Sequence, residues 1–563
     1  MGQRLASRGQ DPGPGTEDTT SARSPKGVRR SSDEGMNTEE IRRNTGDPNS
    51  WGGNDPTQAL RGDEAVRAGV GEVHSSQEPS NERGAKGPQF QGKVTSGKRA
   101  EIGASLAPQI KLWELQEALH AKAKGNPSYR FYALYDKIYR ADVLAEAWRR
   151  SRANGGASGV DGVEFEHIER EGVDQWLGQL AQELKAKRYE PGAVRRVMIP
   201  KANGKQRPLG IPTIRDRVVQ MAAVLILEPI FEADLQAEQH AYRANHSAQE
   251  AVKEVHGWLK KGLREVVDAD LSGYFDTIPH EQLMKSLARR ISDGAMLKLL
   301  KKWLQMPVEE SDGRGGKRRS NPARRQGKGT PQGAPISPLL ANLYMRRFVL
   351  GWKELGYEKQ LKARIVNYAD DFVILCVNKG QEVQAAMKRM MEQLGLKVNE
   401  DKTRLCRVPE ETFEFLGYRF GRCYSTKTGK AYIGTRPSPK KVKGIMERIS
   451  QKTGRDSLKL QTSEKVRELN ALVAGWGNYF SLGPVSKAYR AVDAHCRYRL
   501  RQWLCAKHQH QGTGTCAYPD EYLYETLGLV RLEKTTSNLP WARAVDAHCR
   551  YRLRQWLCVK HQH

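Results

Sequence analysis

The middle of the chain carries two short apolar segments that acidic residues interrupt. In residues 366–375 two apolar, β-branched runs meet at Asp370 and Asp371, which predicts a β-hairpin with both carboxylates at its tip. Residues 264–276 show the same pattern, a short apolar strand that runs into Asp270. Asp268 lies two positions before Asp270 and therefore shares its strand face. The pattern predicts strands that present acidic side chains.

Helical spacing dominates on both sides of these strands. Apolar residues recur at helical intervals between Phe131 and Ala147. Beyond the hairpin, Ser438 followed by Pro439 has the order of an N-cap and a first-turn proline, which predicts an incoming helix. A further helix is predicted from one apolar face made of Val466, Leu469, Leu472, Val473 and Trp476.

Residues 1 to about 110 differ from the rest of the chain. They are rich in Gly, Ser, Pro and charge and have little apolar periodicity. Such a segment cannot bury enough apolar surface to fold, so we expect a disordered basic and polar extension. An RNA-contacting tail is the functional alternative.

The charge balance indicates a polyanionic partner. The chain has 93 Lys and Arg against 65 Asp and Glu, a formal charge of +28, and an excess of this size suits a nucleic acid without distinguishing RNA from DNA. No apolar run reaches membrane-spanning length, and residues 1–6 lack a signal-peptide core, so no membrane partner and a cytoplasmic location are expected. The cysteines form no Cys-x-x-Cys pair, which argues against a zinc module.

The acidic residues predict a metal site. Adjacent carboxylates beside an apolar core are costly unless a partner neutralises them, and their oxygen ligands suit Mg²⁺ or Mn²⁺. Chemistry with two ions about 3.5 to 4 Å apart needs carboxylates that bridge both ions. Asp270 and Asp370 are the bridging candidates and Asp371 is the auxiliary ligand; Asp268 is assigned a structural role. By itself, the acidic hairpin tip could equally be a solvated turn.

Further short sequence motifs lie before and after these acids along the chain. A Gly-rich loop at 154–162 precedes Ile199-Pro200-Lys201 and Arg207-Pro208-Leu209-Gly210-Ile211-Pro212. The Asp270 segment, Gly329-Thr330-Pro331-Gln332-Gly333 and Tyr-Ala-Asp-Asp (368–371) follow. Gly395–Asn399, Lys402-Thr403 and Phe-Leu-Gly-Tyr (415–418) complete the series. In these blocks and their order, residues 129–507 resemble the bacterial group II intron reverse transcriptases and maturases. Many members of that family also carry an HNH endonuclease, and no segment of this sequence resembles one.

The resemblance implies an α+β fold, a right-hand polymerase whose fingers and palm contain antiparallel sheet, followed by an α-helical thumb and maturase domain. The expected divisions are a disordered extension (1–110), fingers (111–260), palm (261–420), thumb and maturase (421–510), a C-terminal tail (511–543) and a duplicated segment (544–563). This last segment repeats 491–510 with only Ala506 changed to Val559. A near-identical pair is not a repeat architecture, so it should add little to the fold.

The resemblance also implies roles for individual residues. Asp270, Asp370 and Asp371 would hold two Mg²⁺ ions, with Mn²⁺ as an alternative and Leu271 as a further ligand, and Lys402 would protonate the leaving pyrophosphate. Leu416 and Gly417 would position the primer end. Four residues would bind the nucleotide, with Phe275 excluding a 2′-hydroxyl: Lys201, Arg207, Phe275 and Gln332. Without the motifs, Phe275 would be an ordinary core residue and the two cations would be solvated.

The helical region should supply the RNA contacts. The rings of Trp476, Tyr479 and Phe480 are expected in the core, and basic residues are expected to contact RNA. Those residues are Arg436, Lys440, Lys441, Lys443, Arg497, Arg499 and Arg501. One departure from the family lies at 240–247, where the usual Gly before the aromatic residue and Pro after the Arg are missing, which puts template positioning in doubt.

The sequence therefore predicts an RNA-directed DNA polymerase that copies intron RNA into cDNA, and a maturase that stabilises intron RNA for splicing and mobility. Its expected partners are group II intron RNA, an RNA template with a DNA primer, dNTPs and target DNA, in the bacterial cytoplasm and at the nucleoid when it acts on DNA. Two alternatives stay open: an RNA-binding splicing factor with an inactive polymerase, and a related reverse transcriptase that serves phage defence or a CRISPR system.

Overall fold

The computed structural model describes residues 96–200, 206–311, 316–425 and 428–535. Their helices, in chain order, are α1 Ser96–Gly125, α2 Tyr135–Ile138, α3 Ala141–Asn154, α4 Phe165–Glu171, α5 Val173–Lys185, α6 Ile214–Glu232, α7 Ala248–Lys260, α8 Tyr274–Thr277, α9 His280–Ala288, α10 Gly294–Leu304, α11 Pro322–Gln326, α12 Ser337–Glu354, α13 Tyr357–Gln360, α14 Gly380–Gln393, α15 Pro439–Lys452, α16 Thr462–Tyr479, α17 Ser486–His508 and α18 Leu532–Thr535. The strands are β1 Val194–Pro200, β2 Gln206–Ile211, β3 Glu265–Asp270, β4 Val308–Ser311, β5 Lys317–Ser320, β6 Arg364–Tyr368, β7 Asp371–Cys376, β8 Arg404–Arg407, β9 Phe413–Phe415, β10 Tyr418–Tyr424 and β11 Ala431–Pro437. The predicted mixed α and β architecture is confirmed.

The amino-terminal helices pack around α6. This helix is apolar on nearly every side, and its buried residues include Val218, Ala222 and Ile226, as expected for a helix enclosed by others. Helices α1 and α3 lie against it, and the Gln116 side chain of α1 donates a hydrogen bond to the Leu225 carbonyl at 2.8 Å.

Helix α1 begins at Ser96, inside the segment 1–110 that the composition assigned to a disordered extension. Good helix formers such as Ala100 and Glu101 allow the helix to extend toward the amino terminus from its packed half. Residues 1–95 lie outside the described part of the chain, as do 536–563 with the duplicated segment.

The first sheet has the strand order β2-β1-β4-β5. Strand β1 pairs antiparallel with β2 and parallel with β4, where Arg196 lies opposite Glu310 and the two side chains form an ion pair at 2.8 Å. The β4–β5 hairpin follows residue 261 in the chain, so this sheet crosses the boundary between fingers and palm that the sequence suggested. A prediction by contiguous segments cannot show a strand pair more than a hundred positions apart.

The palm sheet has the order β6-β7-β3-β8. Val267, Phe372 and Ile374 lie in the large core cluster that contains α12. Val266 and Val373, on the other face, pack with α7 and the β9–β10 segment. Both faces are buried, which is why the strands appear in the sequence as continuous apolar runs. A third sheet, β11-β10-β9, follows the palm.

The carboxyl-terminal helices share a core of their own. Helices α15, α16 and α17 pack together, a single π-helical turn spans Tyr522–Thr526, and α18 follows. Leu523, Leu529 and Leu532 are buried in this core, so the described part of the predicted tail (511–535) belongs to the helical domain. Helix α15 starts at Pro439 as predicted, but the Ser438 side chain makes no capping hydrogen bond. Among the described helices, none is both long and apolar enough to cross a membrane.

Candidate active site

Three carboxylates meet at one end of the palm sheet. The register of β3 and β7 places Asp270 directly opposite Asp371, and Tyr368 pairs with Asp371 where the β6–β7 hairpin closes. Ala369 turns the chain in a left-handed conformation, with φ of +59°. The Asn367 side chain donates a hydrogen bond to the Ala369 carbonyl at 2.8 Å. The predicted hairpin is confirmed, with the predicted acids at its tip.

Asp270 has two partners that come from a distant part of the chain. Asn399 Nδ2 and Lys402 Nζ each lie 2.9 Å from Asp270 Oδ2. Asp268 forms an ion pair with Arg404 at 3.3 Å. Within the described residues, Asp370 and Asp371 have neither a side-chain hydrogen bond nor an ion pair.

Burial and mutual repulsion raise the pKa values of two of the crowded acids. Burial raises the pKa of Asp371 to about 7, and the neighbouring carboxylates of Asp370, Asp268 and Asp270 add to the shift. Burial likewise raises the pKa of Asp268 to about 6, against the opposing effect of Arg404. Carboxylates that the fold crowds together fit a divalent cation, because its charge would remove their repulsion and their hard oxygens suit it. Leu271 has a hydrocarbon side chain, so it could offer a cation only its main-chain carbonyl.

A cavity of about 510 Å³ lies between the loop at 154–157, strand β2 and the Gln332 loop. Arg207, Phe275 and Gln332, which the sequence predicted to bind the nucleotide, all line it. Arg207 Nε donates to Gln332 Oε1 at 3.2 Å, and Gln332 Nε2 donates to Asp276 Oδ2 at 2.9 Å. The structure thus brings together three residues from three separate motifs. Lys201 lies outside the described residues.

Tyr242 connects this cavity to the carboxylates. It lines the same cavity, and burial raises its pKa, with the Asp370 carboxylate adding to the shift. Tyr242 also lies in residues 240–247, where the sequence departs from the family pattern. The Asp370 carboxylate is therefore close to this cavity.

The Gln332 loop needs its glycine. Gly210 N donates to the Gln332 carbonyl at 2.7 Å, which brings the two backbones together. A Cβ on Gly333 would lie 2.3 Å from the Gly210 oxygen, and Gly333 has φ of +104°. Only glycine satisfies both conditions.

The predicted primer-positioning pair forms a tight turn between β9 and β10. Leu416 and Gly417 both have left-handed backbones, with φ of +52° and +80°. The Tyr479 hydroxyl of α16 donates to the Leu416 carbonyl at 2.9 Å, and Ser438 N donates to the Gly417 carbonyl at 3.0 Å. Helix α16 and the start of α15 therefore fix the turn that the sequence predicted to hold the primer.

The basic residues predicted to contact RNA fall into two groups. Arg436, Lys440, Lys441 and Lys443 are exposed around the start of α15. The three arginines of α17 are used within the fold instead. Arg497 and Arg501 pair with Asp520, and Arg499 donates to Thr453 Oγ1 at 3.0 Å and to nearby carbonyls. Internal bonding makes this second group poor candidates for RNA contact. As predicted, Trp476, Tyr479 and Phe480 pack into the core.

Sequence reasoning assigned no role to several residues of this site. Asn399 and Asp276 hold Asp270 and Gln332, Asn367 stabilises the acidic turn, and Tyr242 lines the cavity. Asn399 lies in the Gly395–Asn399 motif, and Asn367 lies in the acidic hairpin segment 366–375. Their position in these motifs was the sign in the sequence that they could belong to the site. Their partners are set by tertiary contacts and could not be read from spacing.

Comparisons with known proteins agree with this geometry. A family model described as reverse transcriptase (RNA-dependent DNA polymerase) matches residues 199–420, and one described as group II intron, maturase-specific domain matches residues 442–518. Protein YkfC of Escherichia coli is 34% identical over 369 residues, which are 58% of this chain and 93% of YkfC. The chain belongs to the group II intron-encoded reverse transcriptase and maturase family.

Other relatives of this reverse transcriptase match over shorter segments. Group II intron-encoded protein LtrA of Lactococcus lactis is 32% identical over 260 residues, 44% of this chain and 40% of LtrA. A chain of the partial Cas6-RT-Cas1--Cas2 complex matches 46% of this chain and 40% of its own length, at 23% identity and a TM-score of 0.29, which is too loose a likeness to support an argument. Family membership makes the chain an RNA-directed DNA polymerase that carries a maturase domain.

Proposed function

We propose that the chain copies group II intron RNA into DNA at the three palm carboxylates and uses its helical domain to bind the same RNA. The observation that carries the catalytic part is the pairing of Asp270 with Asp371 at the hairpin tip, next to the cavity that holds Arg207, Phe275 and Gln332. Asp370 and Asp371, which have no side-chain hydrogen bond or ion pair within the described residues, suit the transfer of a charged nucleotide beside a basic and aromatic cavity.

The reaction is the attack of a primer 3′-hydroxyl on the α-phosphate of a dNTP, templated by RNA. Asp270, Asp370 and Asp371, with the Leu271 carbonyl as a further ligand, would hold two Mg²⁺ ions, which would supply activation of the attacking oxygen and stabilisation of the leaving oxygen. The domain matches support a divalent cation only in general; Mg²⁺ and the number of ions are part of the proposal.

Fixed side chains perform the remaining tasks. Arg207 and, from its motif, Lys201 hold the triphosphate, because cations offset its negative charge during transfer. Phe275 lines the cavity and, from its motif, excludes a 2′-hydroxyl, so dNTPs are preferred. Gln332 orients the base pair from a loop fixed to Gly210 and Asp276.

The β9–β10 turn acts on the primer, and Lys402 acts on the leaving group. Leu416 and Gly417 place the primer end from the turn that Tyr479 braces. Lys402 is assigned, from its motif, to donate a proton to the leaving pyrophosphate; its exposed ammonium, 2.9 Å from Asp270, supports this assignment.

The partners follow from both domains. The maturase-specific match favours group II intron RNA as the bound RNA, over a defence or CRISPR role. We assign the RNA contacts to the exposed basic group around α15. The splicing chemistry then belongs to the RNA, and the protein stabilises its fold. A DNA target supplies the primer during mobility, which puts this activity in the bacterial cytoplasm at the nucleoid.

The decisive experiment is dNTP incorporation by purified protein on an RNA template with a DNA primer and Mg²⁺, with NTPs as competitors. We expect incorporation restricted to dNTPs, abolished by Asp370→Asn and unaffected by Asp401→Asn, an exposed acid that is not part of the site. Phe275→Ala should admit NTPs while retaining dNTP incorporation. No incorporation by the unaltered chain, with intron RNA still bound, would favour the alternative of a splicing factor with an inactive polymerase.

A further inference from the structure

Two histidines and a glutamate converge outside the catalytic acids. His240, His246 and Glu250 each offer one ligand atom, and these atoms all lie within 4.8 Å of one another. His240 precedes the cavity residue Tyr242, and Glu250 lies in the first turn of α7. The cluster occupies the segment 240–250, in which the chain departs from the family pattern.

The hydrogen bonds of His240 leave one ring nitrogen ready for a metal. Glu254 Oε2 lies 2.8 Å from His240 Nε2, so Nε2 carries the proton and donates to the carboxylate. Nδ1 then holds the lone pair, and this atom is buried without a hydrogen-bond partner among the described residues, in a residue that is 6% exposed. A carboxylate behind a histidine in this way is the usual support of a metal-bound imidazole.

His246 repeats the feature. Its Nδ1 is also buried without a hydrogen-bond partner in the described structure, and it lies 3.7 Å from Glu250 Oε2, beyond hydrogen-bond distance. Burying polar nitrogens without partners is costly. Two such atoms in one cluster with a carboxylate are explained together if a cation lies between them.

The surrounding charges permit a cation. Arg243 is the nearby positive group, and Glu232 neutralises it through contacts of 2.6 and 3.0 Å. Glu250 and Glu254 bring negative charge to the cluster, with Glu254 behind His240.

We propose that His240, His246 and Glu250 bind one Zn²⁺ ion, through Nδ1 of both histidines and the glutamate carboxylate, with Glu254 supporting His240. Two imidazoles and one carboxylate form a ligand set that zinc takes with a fourth position left to water. Tetrahedral ligand atoms lie roughly 3 to 3.5 Å apart around zinc, so binding draws the three side chains together by about 1 Å.

This zinc site would brace the nucleotide cavity. His240 N donates to the Asn367 carbonyl at 3.0 Å, so the segment is attached to the strand that leads into the acidic turn. Tyr242 and Asn245, between the two histidines, have left-handed backbones with φ of +54° and +63°. Such conformations persist when the surroundings fix them. One metal ion bound by His240 and His246, at the two ends of this loop, would fix them.

The test measures bound metal on the full chain. Protein stripped with a chelator is titrated with Zn²⁺ against a chromophoric competitor, and metal content is measured after desalting. We expect one zinc per chain and at least a 100-fold weaker affinity in His246→Asn and in Glu250→Gln. His167→Asn, an exposed histidine paired with Glu171, and Asp370→Asn, which alters the catalytic acids, should both keep the zinc.

Cobalt substitution separates this site from the cysteines and from the terminal histidines. Co²⁺ should give the visible bands of a tetrahedral site without thiolate charge-transfer absorption, and a His561→Ala/His563→Ala variant should be unchanged. Circular dichroism confirms that each variant is folded. No tightly bound zinc in the stripped and reloaded chain, or unchanged zinc affinity in folded His246→Asn and Glu250→Gln, overturns the proposal.

Discussion

Charged side chains are paired in the carboxyl-terminal helices and crowded together at the end of the palm sheet. In the helices, Arg497 and Arg501 share Asp520, and the buried Lys465 contacts Glu468 at 2.6 Å. In the palm, Asp371 lies among three other carboxylates, and burial raises its pKa to about 7. Neutralised charges hold elements together, whereas acids that the fold does not neutralise are suited to a ligand that arrives from outside.

The largest expected effect is a difference in dNTP incorporation between substitutions of two acids in the same sheet, Asp371 and Asp268. Asp371→Asn removes an acid without an internal partner and should lower the rate of dNTP incorporation by on the order of 10³-fold, because the stabilisation of transferred charge is lost. Asp268→Asn changes an acid that Arg404 already pairs, and should cost less than roughly tenfold. Steady-state primer extension measures both. Equal losses would show that pairing does not distinguish the two acids.

The next effect concerns the two groups of basic residues. Lys440→Ala with Lys441→Ala removes exposed charge and should weaken intron RNA binding by about tenfold and flatten its salt dependence, because fewer counterions are released. Filter binding over a series of salt concentrations measures this. Lys459→Ala with Lys487→Ala is the matched control, also exposed lysines of the helical region. A larger loss in the control would move the RNA surface away from α15.

A smaller effect tests whether Asp520 is structural. Asp520→Ala leaves Arg501, 12% exposed, without its carboxylate. The free energy of unfolding of the helical region should fall by about 1 to 2 kcal/mol, since a poorly solvated charge loses its partner. Denaturant unfolding or limited proteolysis detects the change, with Glu521→Ala as the exposed neighbour for comparison. Stability equal to the control, together with weaker RNA binding, would return Arg497 and Arg501 to the RNA surface.

The smallest effect is a pH dependence. The folded pKa of Asp371 is raised to about 7 from a usual value of 3.8, so the folded state binds more protons between these values. The metal-free chain should therefore lose stability as pH rises from about 4 to about 7. Mg²⁺ should raise Tm by several degrees more at pH 8 than at pH 5.5, when thermal melts are compared with chelated samples. Asp371→Asn should remove most of this difference, and Asp401→Asn should not.

The sequence predicted much of the active site because its motifs are local. The acidic hairpin needs only a few neighbouring residues to be recognised, and continuous apolar runs predicted its strands. The helix face through Val466, Leu469 and Val473 was likewise predicted and is buried. The internal partners of the α17 arginines could not be predicted, since an arginine in a helix has the same local pattern whether it faces RNA or Asp520.

The sequence by itself determined the family, the mixed architecture and the acids, because periodicity, motif order and residue chemistry are properties of short segments. The tertiary structure decided which residues meet: Asp270 with Asn399 and Lys402, β1 with β4, and the packing of Leu532 into the helical core. It also brought the side chains of His240, His246 and Glu250 together. Contacts between distant segments depend on how complete faces pack and on where buried charge finds a partner, which no single segment specifies.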